Sequence, residues 1–315
     1  MKLPITQSKK WQKLQDDLGE VSHYKKTDSY QYLAIEKHTK AGKYLFLPYG
    51  PVATSGDGFK KALESLMSLA KSINAIFIRL EPIEPVEAEY LPHSAKKVKD
   101  IEPAETWVLN LPENKADDPL NDPAVKALLP SRLLRYYKNR EKQGITIETS
   151  HNPDDIKYLL KLQKALADKK GITTFTEKYL RTELQQPFAT LYLLKKDGNI
   201  IAAGLVFDDD ATKTRYNLQG AQSEEGRPLH ATGILTIQLI LDAIKKGYQT
   251  FDFWGIAPEG AGPSHPWYGF TAFKKTFNGH EQKYAGTYEI VLKPAKYRLF
   301  RSMQNINKAI RKHQY

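Results

Sequence analysis

The sequence predicts an α/β chain of two tandem domains, each built on a mixed β-sheet. Apolar residues recur at helical spacing in some segments and gather in short β-rich runs in others. The order helix, hairpin, helix, strand occurs in the first half and again in the second. A chain of 315 residues has room for two domains of ordinary size, and a hydrophobic content of 41% supplies a core for each.

In the first half, residues 7–18 read as a helix with Trp11, Leu14 and Leu18 on one face, stopped by Gly19. Two strands, 32–36 and 44–47, are joined by a turn at Ala41-Gly42, and the second leaves the sheet through Pro48-Tyr49-Gly50-Pro51. Phe59, Leu63, Leu66, Met67, Ala70 and Ile73 mark a second helix, and a buried strand follows at 75–80. Residues 84–99 are Pro-rich and read as a surface loop before a strand at 106–110. From Asp122 the chain turns helical and basic, with Arg132, Arg135, Lys138, Arg140 and Lys142 ahead of the stop at Gly144. Those cations suit either a solvated face or phosphate contact.

The second half opens with a strand at 145–148. Asn152 caps and Pro153 opens a helix carrying Ile156, Leu159, Leu160 and Leu166. A helix at 176–184 and strands at 190–194, 200–207 and 214–218 follow. A long helix over 230–246 places Ile234, Ile237, Leu241 and Ile244 on its core face. A strand at 284–292 and a basic helix at 295–312 close the chain. Tyr297, Phe300, Met303 and Ile306 give that last helix an apolar face to pack on the first domain. The expected domains are 1–144 with 290–315, and 145–289.

The 47 Lys and Arg against 36 Asp and Glu leave a net charge of +11, which points to an anionic partner: nucleic acid, nucleotide phosphates or an acidic membrane surface. The absence of cysteine excludes disulfides and thiolate metal sites. With no apolar leader and no apolar run of membrane-spanning length, the expectation is a soluble cytoplasmic protein.

The chemistry centres on residues 248–279, YQTFDFWGIAPEGAGPSHPWYGFTAFKKTFNG. A strand at 250–254 ends at Gly255 and passes through a Gly- and Pro-rich loop. It enters a short helix carrying Phe270, Phe273 and Phe277, with Lys274 and Lys275 at the rim of the aromatic cluster. Such a segment builds a site at a sheet edge, or is a loop with snorkelling lysines. No Ser-His-Asp, HExxH, Walker A or Rossmann pattern is present, and the scattered histidines suggest no metal. A turn able to cradle the pyrophosphate of an acyl-CoA would fall at residues 226–233. It has glycines only at its ends, and Pro228 removes an amide donor.

Several motifs in order, Gln7-Ser8…Trp11, Tyr49-Gly50-Pro51-Val52, Gly220-Ala221, Gly247-Tyr248, Phe251-Asp252-Phe253-Trp254-Gly255-Ile256 and Phe273-Lys274-Lys275…Phe277…Tyr284…Gly286, resemble the FemABX peptidyltransferases over nearly the whole chain. The resemblance implies two tandem GNAT-like (acyl-CoA N-acyltransferase) domains, here of the FemX type without a coiled-coil arm. It implies a non-ribosomal aminoacyltransferase that moves an amino acid from aminoacyl-tRNA to an amine of the peptidoglycan stem peptide. The acceptor would be UDP-MurNAc-pentapeptide or lipid II, the latter with peripheral contact at the inner membrane face. No cofactor beyond the tRNA co-substrate, and no metal, is implied.

By that resemblance Phe273 and Lys274 match the family's Phe-Lys pair implicated in transfer, and Lys13 matches a lysine that binds the acceptor's diphosphate. Glu81 and Tyr179 fall where the peptide channel is lined, and Tyr216 lies in the flanking strand. Phe175 stands where a family arginine binds the diphosphate, with Lys178 and Arg181 one turn on. Leu218 stands in place of a second channel tyrosine. An acyl-CoA-dependent N-acyltransferase and a non-enzymatic RNA-binding protein are the alternatives.

Overall fold

The computed structural model describes residues 3–113, 116–170 and 174–313. It divides into two compact units, residues 1–104 with 283–315 and residues 105–282.

Unit 1 begins with helix α1 (Lys9–Asp17), which starts where the Ser8 side chain accepts the Trp11 N–H. Strands β1 (Ser22–Lys26), β2 (Tyr30–Thr39), β3 (Gly42–Leu47) and β4 (Val52–Ala53) precede helix α2 (Gly56–Ser72), which Ser55 caps. Strands β5 (Phe77–Leu80) and β6 (Ala95–Val98) follow. Phe59, Ala62, Leu63, Leu66 and Ala70 of α2 share one buried face, packed with Leu45 and Ile78 of the sheet. Gln7 pins the exit from β3: its side chain bonds both backbone groups of Leu33 and the Pro48 carbonyl. A Cβ at Gly50 would meet the Gln7 amide at 2.4 Å, so only glycine fits there.

Unit 2 runs through β7 (Glu105–Asn110), α3 (Pro123–Leu128), α4 (Ser131–Lys138), β8 (Ile145–Ser150), α5 (Ile156–Lys170) and α6 (Glu177–Leu184). It continues with β9 (Ala189–Lys196), β10 (Asn199–Asp209), β11 (Thr214–Gln222), α7 (Ala231–Lys245), β12 (Thr250–Gly255), α8 (Tyr268–Lys274) and β13 (His280–Lys283). Its sheet order is β13-β7-β12-β11-β10-β9-β8. The almost wholly apolar helix α7 fills the core, with Ile234, Ile237, Leu241 and Ile244 buried as their spacing predicts.

The chain then returns to unit 1. Strand β14 (Thr287–Val291) inserts between β5 and β6, giving the order β1-β2-β3-β5-β14-β6 with β4 beside β2. Helix α9 (Pro294–His313) packs Tyr297 and Phe300 around Phe77 at centroid distances of 5.4 and 5.0 Å. Met303 joins that cluster, whereas the Ile306 side chain lies outside the described residues.

Both sheets are mixed, as expected, but three sequence expectations need correction. The units divide at residue 104 rather than Gly144, because β7 pairs with β12 and α4 packs on α7, so both belong to the second sheet's layer. The loop expected at 84–99 contains β6. The strand expected at 284–292 is shorter, β14 over Thr287–Val291, and a separate strand, β13 (His280–Lys283), precedes it in the other sheet, with Gly286 at φ +83° in the turn between them.

Candidate functional site

The unit 2 sheet opens between β11 and β12. Their parallel ladder has three rungs, Thr214–Thr250, Arg215–Phe251 and Tyr216–Asp252. Beyond them β11 follows β10 to Gln222, with a register shift opposite residues 217–219, while β12 follows β7 with a shift between Asp252 and Gly255. Trp254 sits in this second irregularity at φ +64°, a conformation costly for a bulky residue, and its N–H donates to the Asp252 carboxylate at 2.7 Å. The Tyr216 ring meets Trp254 edge-on, 5.9 Å between centroids.

Helix α8 is fixed beside the end of β12 by aromatic packing. Phe273 packs on Phe277, and the fully buried Phe277 packs on Phe253 of β12. The Thr271 hydroxyl accepts the Ala257 N–H and ties the loop to the helix. With α8 so fixed, Lys274 turns inward, and its Nζ donates to the Gly255 carbonyl at 2.5 Å. Burial lowers the Lys274 ammonium from 10.5 to about 8, opposed by the nearby Asp252 carboxylate. Lys275 turns outward to the Trp107 ring and, at 3.4 Å, to Glu281. Of the residues nominated from sequence, Phe273, Lys274 and Tyr216 therefore come together. Asp252 and Trp254 belong with them; they stood in the quoted motif but carried no assigned role.

Tyr179 and Arg181 lie on α6, which packs on α5 and β9, and β10 separates β9 from the opening. No contact brings either to Lys274 among the described residues. Arg181 pairs with Asp154. Tyr179 hydrogen-bonds Glu183, whose carboxyl burial raises to about 8. Glu183 is a buried acid that sequence reasoning missed, since nothing local marks it as buried.

The turn before α7 is filled from within the unit. A Cβ at Gly226 would meet the Ile201 carbonyl at 2.6 Å, and one at Gly233 the Leu133 side chain at 2.7 Å. Gln222 accepts the Thr232 N–H at 3.0 Å, and Arg132 and Tyr136 of α4 lie against His230. These glycines serve close packing.

Unit 1 holds the other two nominated residues. Lys13 is exposed on α1 and pairs with Asp17 one turn on, at 2.5 Å. Glu81 is 3% exposed, directly after β5. Its Oε1 accepts from the Thr287 hydroxyl at 2.7 Å and from the Ile101 and Glu102 N–H groups at 3.1 Å each. Its Oε2 is buried with no hydrogen-bond partner. Burial, against those three bonds, pushes the Glu81 carboxyl up to about 7, and burial beside Glu81 pushes Glu102 to about 8. Among the described residues no group of three or more His, Asp or Glu is placed to hold a metal ion, and no helix is long and apolar enough to cross a membrane.

Residues 167–305 match the family model of the FemAB family. The matched segment takes in Tyr179, Arg181, Tyr216, Phe273 and Lys274, and leaves Lys13 and Glu81 outside it. The fold is similar to a crystal structure of FemX, with a TM-score of 0.77 at 17% identity over 94% of each chain. It is similar to the C-terminal domain of a protein from Agrobacterium fabrum assigned as a lysylphosphatidylglycerol synthetase, with a TM-score of 0.59 at 14% identity over 95% of this chain and 93% of that one. A tandem GNAT protein from the clavulanic acid biosynthesis pathway matches with a TM-score of 0.50 at 12% identity, over 83% and 78%. No curated protein sequence matches. The fold class expected from sequence, two tandem GNAT-like α/β units, is the fold observed.

Proposed function

We propose that this protein is a non-ribosomal aminoacyltransferase of cell-wall synthesis, moving an amino acid from aminoacyl-tRNA to an amine of a peptidoglycan precursor. The observation that carries this reading is Lys274: a half-buried ammonium at the opening of the FemAB segment's sheet, held on the Gly255 carbonyl. The ester of a charged tRNA is already activated, so the protein must mainly hold its carbonyl beside the acceptor amine. The amine forms the C–N bond, and negative charge grows on the former carbonyl oxygen. The C–O bond to the ribose then breaks, and the proton lost by the amine ends on the ribose hydroxyl. A cation fixed in advance stabilises that charge or the leaving oxygen without reorganising. A carboxylate of the acceptor itself is suited to take the proton from the amine.

Aminoacyl-tRNA is then the donor and no further cofactor is needed. The packed turn before α7 supports this reading over an acyl-CoA donor, because its glycines leave no cradle and Gln222 already holds one amide. Lys13, exposed on α1, fits contact with an acceptor diphosphate. Cytoplasmic placement, with contact at the inner membrane face when the acceptor is lipid II, follows from these substrates. A second acceptor class, a glycerophospholipid headgroup, is favoured by the likeness over 95% of this chain to the C-terminal domain of the Agrobacterium fabrum protein.

The test is a transfer assay with purified protein, a mixture of charged tRNAs, and UDP-MurNAc-pentapeptide, lipid II or phosphatidylglycerol as acceptor. Transfer to either peptidoglycan precursor supports the proposal. Transfer to phosphatidylglycerol alone moves the reading to the second class, and stoichiometric acyl-CoA binding without tRNA binding sinks both.

A further inference from the structure

Phe175 is a large apolar side chain left 48% exposed. It directly precedes Thr176, the cap of α6, and its ring lies nearly parallel to Tyr179, 4.9 Å between centroids at 16°. One face of Phe175 is therefore covered by an aromatic ring, and its exposure leaves the other open. The supporting ring is held: the Tyr179 hydroxyl donates to the Glu183 carboxylate, and Glu183 is 1% exposed where α6 packs on β9. Two cations stand on the same helix. Lys178 is exposed, with no side-chain partner among the described residues, and Arg181 pairs with Asp154 at the surface.

A phenylalanine needed only for packing would turn inward. Here the outer ring of a parallel pair faces solvent on a rigid support, next to free positive charge. Proteins hold an unpaired nucleobase by this combination, with a π-face for the base and a cation for the adjoining phosphate. We propose that Phe175 and Tyr179 form a stacking platform for a nucleobase, with Lys178 meeting the phosphate beside it. The inference rests on the proposed function and deepens it, since two of the substrates named there carry a base: the 3′ end of the charged tRNA and the nucleotide of UDP-MurNAc-pentapeptide.

The experiment uses the full chain and Phe175→Ala, Phe175→Leu and Phe175→Tyr. Each is titrated at one fixed salt concentration with an RNA minihelix ending in single-stranded ACCA, the same minihelix with abasic 3′ residues, UDP, and inorganic pyrophosphate. Phe175→Ala and Phe175→Leu are expected to weaken binding of the minihelix or of UDP by roughly tenfold, whereas Phe175→Tyr stays near wild type. The abasic minihelix and pyrophosphate should not distinguish the variants. Loss with the minihelix assigns the platform to tRNA, and loss with UDP assigns it to the nucleotide-linked acceptor.

The proposal is overturned if Phe175→Leu binds as well as Phe175→Tyr, or if the loss persists with the base-free probes. It is equally overturned if binding of both base-bearing probes stays within about twofold of wild type throughout the series. The transfer assay separates the two readings. Ring-dependent binding by a protein that transfers nothing leaves the platform and removes the proposed function. Transfer with ring-independent binding does the reverse.

Discussion

The two units join their sheets through parallel ladders of equal length and place opposite chemistry just beyond them. In unit 1 the parallel ladder of β3 and β5 has three rungs, Leu45–Ile78, Phe46–Arg79 and Leu47–Leu80. In unit 2 that of β11 and β12 also has three. Each middle rung sets an arginine against a phenylalanine. Arg79 is held by Glu289, and Arg215 by both oxygens of Asp208 at 2.7 Å. An aromatic residue at positive φ follows a ladder strand in each: Tyr49 after β3, and Trp254 near the end of β12. Beyond the ladder the likeness stops. Unit 1 places Glu81 there, a carboxyl with one satisfied oxygen and one unsatisfied. Unit 2 places Lys274 there, an ammonium on a single carbonyl. The arginines are fully paired and secure the sheets, whereas the two groups at the openings are held by fewer bonds than they can make. In the proposed function that incomplete pairing leaves Lys274 able to meet a substrate.

The largest effect that tests this contrast is on stability. Glu289→Ala and Asp208→Ala each strand a buried guanidinium and should cost about 3–5 kcal/mol, measured by urea unfolding. A small loss in either would mean that the middle-rung pair is not the structural member. Next, Lys274→Ala should lower the turnover of the transfer reaction by about a hundredfold, roughly 3 kcal/mol, with a modest change in acceptor KM. Lys275→Ala, whose side chain turns to Trp107 and Glu281, is the control. Equal damage from both would place the site at the wrong residue.

Third, the openings should respond to pH in opposite directions. Folded Glu81 keeps its proton up to about pH 7, while the unfolded chain releases it near 4.5. Its contribution to stability is therefore full below pH 4.5 and lost as pH rises through that window. Folded Lys274 gives up its proton near pH 8 and the unfolded chain near 10.5, so the cost of burying its charge fades as pH rises between them. Thermal melts should show Glu81→Gln gaining on wild type from pH 4.5 to about 7. Lys274→Met should gain most below pH 8 and lose that advantage towards 10.5. Melting differences that do not change with pH would remove the contrast. The smallest effect is at Lys13. Lys13→Ala should raise the KM for a diphosphate-bearing acceptor a few-fold and leave kcat nearly unchanged, because its proposed partner is fully charged before reaction. An unchanged KM would return Lys13 to a solvated pair with Asp17.

Much of the fold was legible because its core helices are strongly periodic. Helices α2 and α7 declare themselves through Phe59 to Ala70 and Ile234 to Ile244. The edge strands were not legible, since SHYKK in β1 and AKKV in β6 carry cations where alternation would be read. The unit boundary was hidden because β7 finds its partner, β12, far along the chain. At the site, the aromatic spacing of α8 put Lys274 and Lys275 together at the rim of a cluster, and only the family resemblance singled out Phe273 and Lys274. Glu183, Arg215 and Glu289 were not, because their burial depends on segments remote in sequence. A lone Glu or Arg in a pattern reads as surface until its distant partner is known.

Strand β14 pairs with β5, so Arg79 and Glu289, 210 positions apart, meet inside one sheet. That separation imposes an order on biosynthesis. When the ribosome has delivered residues 105–282, every strand of the second sheet is present except the last residue of β13, while the first sheet still lacks an inner strand. Unit 1 must therefore wait with β5 and β6 unjoined, its first 104 residues exposed to proteases and chaperones until nearly the whole chain has emerged. Limited proteolysis of stalled nascent chains should find residues 105–282 protected before residues 1–104, so the chain's beginning is the part completed last.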